Sequence, residues 1–151
     1  MKVFLGGTCS TSTWRDTLIP KLRIDYFDPR VALWSEDAYQ EEIKEKSSSN
    51  YFLYVITPQM EGFYSIAEIV DESHKYPNQT IYCFLKEDNG TAFSEKQIHS
   101  LQAQQKLSTT LNPLVVDVQP VGKYMTQMHA SFQFCAIWFR GFQFFQRIYA
   151  F

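Results

Sequence analysis

The chain has 151 residues, of which 45% are hydrophobic and 20% are charged, and its formal net charge is −2. This length and composition are typical of one globular domain with its own core, so we expect residues 1–151 to form a single domain. A net charge so close to zero does not favour binding to nucleic acid or to an anionic membrane surface.

The sequence contains no obvious signal for membranes, export or metals. No stretch of about 18 consecutive apolar residues is present, so we predict no transmembrane helix. The first apolar run, residues 3–5, is too short for a signal peptide. The three cysteines are far apart and form no CxxC pair, which predicts neither a zinc site nor a disulfide framework. We therefore expect a cytoplasmic protein without a metal or other cofactor.

Apolar runs and amphipathic segments alternate along the chain. Strands are predicted at residues 2–5, 24–27, 51–56, 80–85 and 114–118. Helices are predicted at residues 14–22, 35–46, about 64–76 and 94–107, with Ser35 and Ser94 as N-caps. Ile66, Ile69 and Val70 are expected to face the sheet. This alternation predicts an α/β fold with a mainly parallel sheet of about five strands and helices on both faces.

The tail, residues 123–151, is predicted to be an aromatic-rich helix. Its polar residues, such as Gln133, Arg140 and Arg147, fall on one narrow stripe, and aromatic side chains occupy the rest of the helical surface. A surface helix of a monomer has a narrower apolar stripe than this. Two interpretations remain, a subunit interface or a partly disordered segment, and we favour a homo-oligomer that associates through this helix.

A glycine pair ends the first predicted strand. Gly6 and Gly7 lead into a hydroxyl-rich loop that begins at Thr8. A strand, a glycine pair and a polar loop before a helix can form a turn whose backbone N–H groups bind an anion or a sugar. GxGxxG and GK[ST] are both missing, so neither a dinucleotide fingerprint nor a P-loop is present. A simple tight turn with Ser/Thr capping explains the same residues, and both interpretations stay open.

Glu68 is the carboxylate that the pattern singles out. It follows an apolar strand, a Pro/Gly loop and the start of a helix, and ligands of open α/β sheets bind at the carboxyl ends of the strands. An ionised carboxylate there could attack an anomeric carbon and hold a covalent glycosyl intermediate. The structural alternative is a capping box in which Ser65 caps the helix and Glu68 bonds back to the N–H of Ser65.

Further candidates surround the same crevice. Asp28 ends the second strand, where an Asx turn is the structural alternative, and Glu42 lies on the second helix, where a solvated face is the alternative. Tyr64 and Ser65 could bond a sugar hydroxyl or a phosphate.

Several segments resemble the nucleoside 2-deoxyribosyltransferase-like family. They are VFLGG at residues 3–7, residues 14–15, 26–29 and 34, YVITP at residues 54–58, and GFYSIAE at residues 62–68. The resemblance covers roughly residues 1–85 and implies a flavodoxin-like, Rossmann-type three-layer sandwich that works as a homo-oligomer. It also implies an enzyme that cleaves or transfers the N-glycosidic bond of a deoxynucleoside or nucleotide, without a cofactor.

The resemblance assigns roles to particular positions. Glu68 corresponds to the nucleophile, and Glu42 corresponds to an aspartate that handles the nucleobase proton. Tyr64, Ser65 and the loop of Gly6 and Gly7 would hold the sugar or its 5′ substituent.

Two positions depart from the family pattern. Phe4 stands where members have a tyrosine that orients the nucleophile, and Gly62 stands where they have an aspartate that contacts the sugar. The alternative function is therefore a nucleotide-binding or sensing module on the same fold.

Overall fold

A computed structural model describes residues 1–111 of the chain. The strands are β1 (Lys2–Gly7), β2 (Asp25–Phe27), β3 (Tyr51–Ile56), β4 (Thr80–Phe84), β5 (Glu87–Asp88) and β6 (Thr91–Ala92). The helices are α1 (Trp14–Leu18), which continues into a 3₁₀ turn (Ile19–Lys21), α2 (Glu36–Ser47), α3 (Tyr64–Lys75) and α4 (Glu95–Leu111). The predicted strand at residues 114–118 and the tail helix lie outside the described residues.

The main sheet has four parallel strands in the order β2-β1-β3-β4. Because β1 lies in the middle, the chain moves outward to β2 and then crosses to the other side of β1 for β3. The two directions meet between β1 and β3, which is the topological switch point of a flavodoxin-like sheet. The predicted parallel sheet is confirmed for its first four strands.

Apolar side chains cover both faces of the sheet, as the nearly continuous apolar strands require. On one face, Trp14 and Leu18 of α1 pack against the strand residues Val3, Leu5, Val55, Ile81 and Cys83. On the other face, Ile69 of α3 and Leu101 of α4 pack against the strand residues Phe4, Phe52, Tyr54, Ile56, Tyr82 and Phe84. Helices therefore lie on both faces, as predicted.

Two predicted helix caps are confirmed. Ser35 accepts a hydrogen bond from the N–H of Ala38 at the start of α2. At the start of α4, the N–H of Gln97 donates to Ser94, and the N–H of Ser94 donates to the Gln97 side chain at 2.9 Å. That reciprocal pair is a capping box.

One local expectation about α3 differs from the structure. Ile69 of α3 is fully buried, but Val70 is 40% exposed. The predicted orientation of Val70 toward the sheet is therefore wrong. Val70 is one position beyond Ile69, and the 100° step of the helix turns it away from the sheet. After β4 the chain forms a small antiparallel hairpin, β5–β6, with Asn89 and Gly90 at positive φ in its turn.

Gly7 lets β1 and β3 approach closely at the switch point. Its φ is +104°, and a Cβ atom there would lie 2.2 Å from the carbonyl oxygen of Val55. Only a glycine accepts both the backbone conformation and the contact. Because Gly7 has no side chain, the end of β1 can lie directly against the backbone of β3.

Replacing Gly7 with Ala should lower the free energy of unfolding by about 2 kcal/mol or more, because strain and overlap with backbone add together. Gly62→Ala is the matched control, since a Cβ atom at Gly62 meets nothing within 4 Å. The control should change stability by less than about 0.5 kcal/mol. Denaturant unfolding measures both values, and equal losses would contradict the close approach.

Candidate active site

A cavity of about 760 Å³ opens at the carboxyl end of β1, the strand that forms one side of the switch point of the sheet. Its size falls in the range of small-molecule sites, roughly 300–1,000 Å³. The residues that line it come from the ends of β1 and β2 and from α2 and α3; they are Phe4, Gly6, Gly7, Cys9, Ser10, Pro29, Arg30, Val31, Trp34, Tyr39, Glu42, Tyr64, Ser65 and Glu68. Six of the nine predicted site residues are among them.

The loop after β1 is held by a buried arginine. The guanidinium of Arg15 donates to the carbonyl of Leu5 at 2.8 and 2.9 Å and to the carbonyl of Thr8 at 2.6 Å. Arg15 is 0% exposed, and its charge faces Asp28 at 3.5 Å. Arg15 thus fixes the carbonyl groups at the end of β1, and the N–H of Thr8 donates to the carbonyl of Val55 at 2.9 Å.

Thr8, Asp28 and Gly62 are not among the cavity-lining residues of the described chain. The hydroxyl of Thr8 accepts a hydrogen bond from the N–H of Thr57 at 2.9 Å, which ties the loops after β1 and β3 together. Asp28 accepts from Arg30 at 2.8 and 2.9 Å and thereby orients a side chain that does line the cavity. Gly62 is exposed.

The β5–β6 hairpin completes the support of this edge. Ser12 donates to the buried carboxylate of Asp88, and Asn89 donates to the carbonyl of Thr11 at 2.7 Å. Gln59 donates to the carbonyl of Asp88 at 2.9 Å. These bonds connect the loops after β1, β3 and β4, so the cavity rests on a connected polar frame.

The capping box at Ser65 and Glu68, which is the structural alternative for these residues, does not form. Helix α3 begins at Tyr64, its N-cap is Phe63, and no side chain bonds to the cap. Ser65 is therefore already inside the first turn and cannot serve as the cap. Glu68 consequently does not bond back to the helix start.

Glu68 instead pairs with Lys46 of α2. The ammonium of Lys46 donates a hydrogen bond to Oε1 of Glu68, and the side chains are 17% and 10% exposed, respectively. Lys46 also lies 3.9 Å from Oε1 of Glu42 and 4.0 Å from Oε1 of Glu72. Glu68 thus lines the cavity as the partner of a half-buried cation.

Glu42 lines the same cavity but has a different electrostatic environment. Burial raises the pKa of Glu42, and the nearby negative charge of Glu68 raises it further, while Lys46 and Arg15 act in the opposite direction. A carboxyl group in this position holds a proton more readily than an exposed glutamate does. The solvated-face alternative for Glu42 is therefore wrong, since half-buried Glu42 faces the cavity.

A comparison with protein families matches residues 1–87 to the family described as nucleoside 2-deoxyribosyltransferase like. The chain belongs to this family. The family assignment predicted from the sequence is confirmed, and so is the flavodoxin-like fold class. Comparisons with curated proteins and with solved structures give no match.

Membership in the nucleoside 2-deoxyribosyltransferase-like family implies that the protein binds a nucleoside. Aromatic side chains suited to a planar base lie at the mouth: the rings of Trp34 and Tyr39 are 6.4 Å apart, and Trp34 and Tyr64 are exposed. Within residues 1–111, no group of three or more His, Cys, Asp or Glu side chains could hold a metal ion. No helix in that part of the chain is long and apolar enough to cross a membrane.

Sequence reasoning missed Arg30 and Lys46. Arg30 directly follows the Asp-Pro pair that ends β2, and that proximity was an available signal for a cation at the crevice. Lys46 sits at the end of a strongly charged helix, and nothing in the local pattern separates it from Lys44. Only the tertiary structure brings Lys46 to Glu68.

Replacing Glu42 with Gln tests the environment of this carboxyl. Because its pKa is raised in the folded state, the folded chain binds a proton at Glu42 more tightly than the unfolded chain does. The wild type therefore loses stability as the pH rises from the ordinary value of 4.5 through the raised value. Glu42→Gln should lack this loss and gain stability relative to wild type between about pH 4 and about pH 7.

Denaturant unfolding at both pH values gives the comparison. Glu41→Gln is the matched control, because Glu41 is an exposed neighbour on the same helix. Its stability difference from wild type should stay nearly constant with pH. A Glu42→Gln difference that is also constant would contradict the raised pKa.

Proposed function

We propose that the protein cleaves or transfers the N-glycosidic bond of a deoxynucleoside or nucleotide, with Glu68 as the nucleophile and Glu42 as the acid/base. The observation that carries the proposal is that these two carboxyl groups, from α2 and α3, line one cavity at the switch point. Their environments differ, since Glu68 is paired with a cation and Glu42 is half-buried beside another carboxylate. Two carboxyl groups with separate environments are what glycosidic cleavage uses.

The proposed reaction has two steps, the formation and the breakdown of a covalent ester between Glu68 and the sugar. One oxygen of Glu68 attacks C1′ of the sugar, the bond from C1′ to the base nitrogen breaks, and Glu42 delivers a proton to the departing base. The product is an ester between Glu68 and the sugar. Water or a second base then attacks C1′, gives its proton to Glu42, and releases the Glu68 carboxylate.

The proposed substrate-binding residues divide the cavity between sugar and base. Tyr64, Ser65 and the backbone of Gly6 and Gly7 would bond the sugar or its 5′ substituent. The exposed ring of Trp34 would stack on the base. This division matches the usual composition of small-molecule sites, in which a few placed polar groups fix the orientation of the ligand between apolar walls.

A nucleotide-binding or sensing module is the second candidate function. Phe4 lines the cavity with a ring that carries no hydroxyl group, and the exposed Gly62 contributes no side chain. A site with these two features could bind a nucleotide and turn it over slowly or not at all. Binding without product would favour this candidate.

The compartment and the assembly also belong to the proposal. The reducing cytoplasm is the proposed location, in keeping with cysteines that form no CxxC pair. Copies of the chain are proposed to associate through the aromatic segment at residues 123–151, whose sequence offers an unusually wide apolar face.

Glu68→Ala should lower the rate of base release by at least about 10³-fold, because the covalent intermediate cannot form without the carboxylate. The wild type and the variant are incubated with a panel of deoxynucleosides and their 5′-monophosphates, and the free base is measured by chromatography. Glu41→Ala is the control, since Glu41 is exposed and outside the cavity. Equal base release by wild type and Glu68→Ala would remove Glu68 from the mechanism.

A chain that ends at Asp117 lacks the proposed interface and should therefore form an oligomer of fewer copies than the full chain does. Sedimentation velocity on both proteins measures the number of copies. An unchanged oligomer would count against an interface at residues 123–151.

A further inference from the structure

Lys46 extends from α2 to Glu68 of α3, a residue that lines the cavity. Its ammonium lies 4.9 Å from the ring centre of Phe4 and 5.9 Å from that of Tyr54, so the charge lies over two aromatic rings. These rings belong to β1 and β3, the strands that form the switch point. The position of Lys46 is therefore fixed by the core of the protein rather than by solvent.

The contact with Glu68 differs from the other two contacts of Lys46. Glu68 accepts a hydrogen bond from the ammonium, whereas the separations of 3.9 Å to Glu42 and 4.0 Å to Glu72 are too long for one. A charge-assisted hydrogen bond is stronger and more directional than a longer ion pair. Lys46 thus forms a hydrogen bond only with Glu68, while Glu42 and Glu72 form longer ion pairs with it.

Among the side chains that the structure describes, no donor other than Lys46 bonds to the carboxylate of Glu68. Phe4 offers only a ring, and the hydroxyl of Tyr54 is buried without a hydrogen-bond partner. The first turn of α3 does not bind the carboxylate either, because the capping box does not form. The orientation of the Glu68 carboxylate therefore depends on Lys46.

We propose that Lys46 is a positioning residue for Glu68. Its ammonium holds Oε1 of Glu68 and leaves Oε2 of Glu68 available for attack on the sugar. This inference rests on the proposed function. When the ester forms, Glu68 loses its charge, but Lys46 keeps Glu42 and Glu72 nearby and is not left as an isolated buried cation. In the second step the ammonium stabilises the carboxylate that leaves C1′, because negative charge returns to Oε1 and Oε2.

Lys46→Met tests the proposal through the kinetics of base release. We expect kcat to fall by about 10- to 100-fold, because a small misplacement of a nucleophile costs about that much. KM should stay within about threefold of wild type, since Lys46 is not among the residues that line the cavity. Lys46→Arg keeps the charge and should recover part of the lost kcat, although its planar group fits the site less well.

Lys44→Met is the matched control. It makes the same substitution on the same helix at an exposed position, and its kcat and KM should stay within about twofold of wild type. Circular dichroism and unfolding midpoints establish that each variant is folded. If Lys46→Met does not fold, the double variant Lys46→Met with Glu72→Gln, which leaves the net charge of the cluster unchanged, is compared with Glu72→Gln alone.

The possible results separate this inference from the proposed function. If the wild type releases no base from any substrate of the panel, the proposed function fails and the inference fails with it. If the wild type is active and Lys46→Met has the same kcat, only the positioning role is overturned. Equal loss in Lys46→Arg and Lys46→Met, with folding intact, would also contradict it, because retained charge would then have no effect.

Discussion

The buried guanidinium of Arg15 is the interaction on which the cavity depends. The guanidinium of Arg15 donates hydrogen bonds to the carbonyls of Leu5 in β1 and of Thr8 just after it. A buried carbonyl without a partner costs about 1–3 kcal/mol, so the loop would not keep this course without the arginine. Gly7 then allows the loop to pass against Val55. The two residues together place the floor of the cavity.

The two carboxyl groups of the site differ because their surroundings differ. Glu42 loses solvent and faces another carboxylate, and both effects raise its pKa. Glu68 meets an ammonium that is held over the rings of Phe4 and Tyr54. Under the proposed function, this difference suits Glu42 to donate the proton and Glu68 to attack the sugar.

The sequence predicts those features whose causes are local. The apolar run of β3 is correct at both ends, and the caps at Ser35 and Ser94 form as expected, because each depends on residues three or four positions away. The parallel sheet follows from the alternation of strands and helices. Lys46 could not be found in this way, since its partner is 22 residues distant on another helix. Arg15 was recognised only as part of a resemblance, because burial of its charge is a tertiary effect.

One pattern, serine followed three positions later by Glu or Gln, occurs twice with opposite outcomes. At Ser94 and Gln97 the helix begins directly after the serine, both side chains are exposed, and the capping box forms. At Ser65 and Glu68 the helix begins one residue before the serine, so the backbone N–H of Ser65 is already part of the first turn. The carboxylate is then free to meet Lys46, and a group that could have stabilised its own helix is instead directed to the cavity.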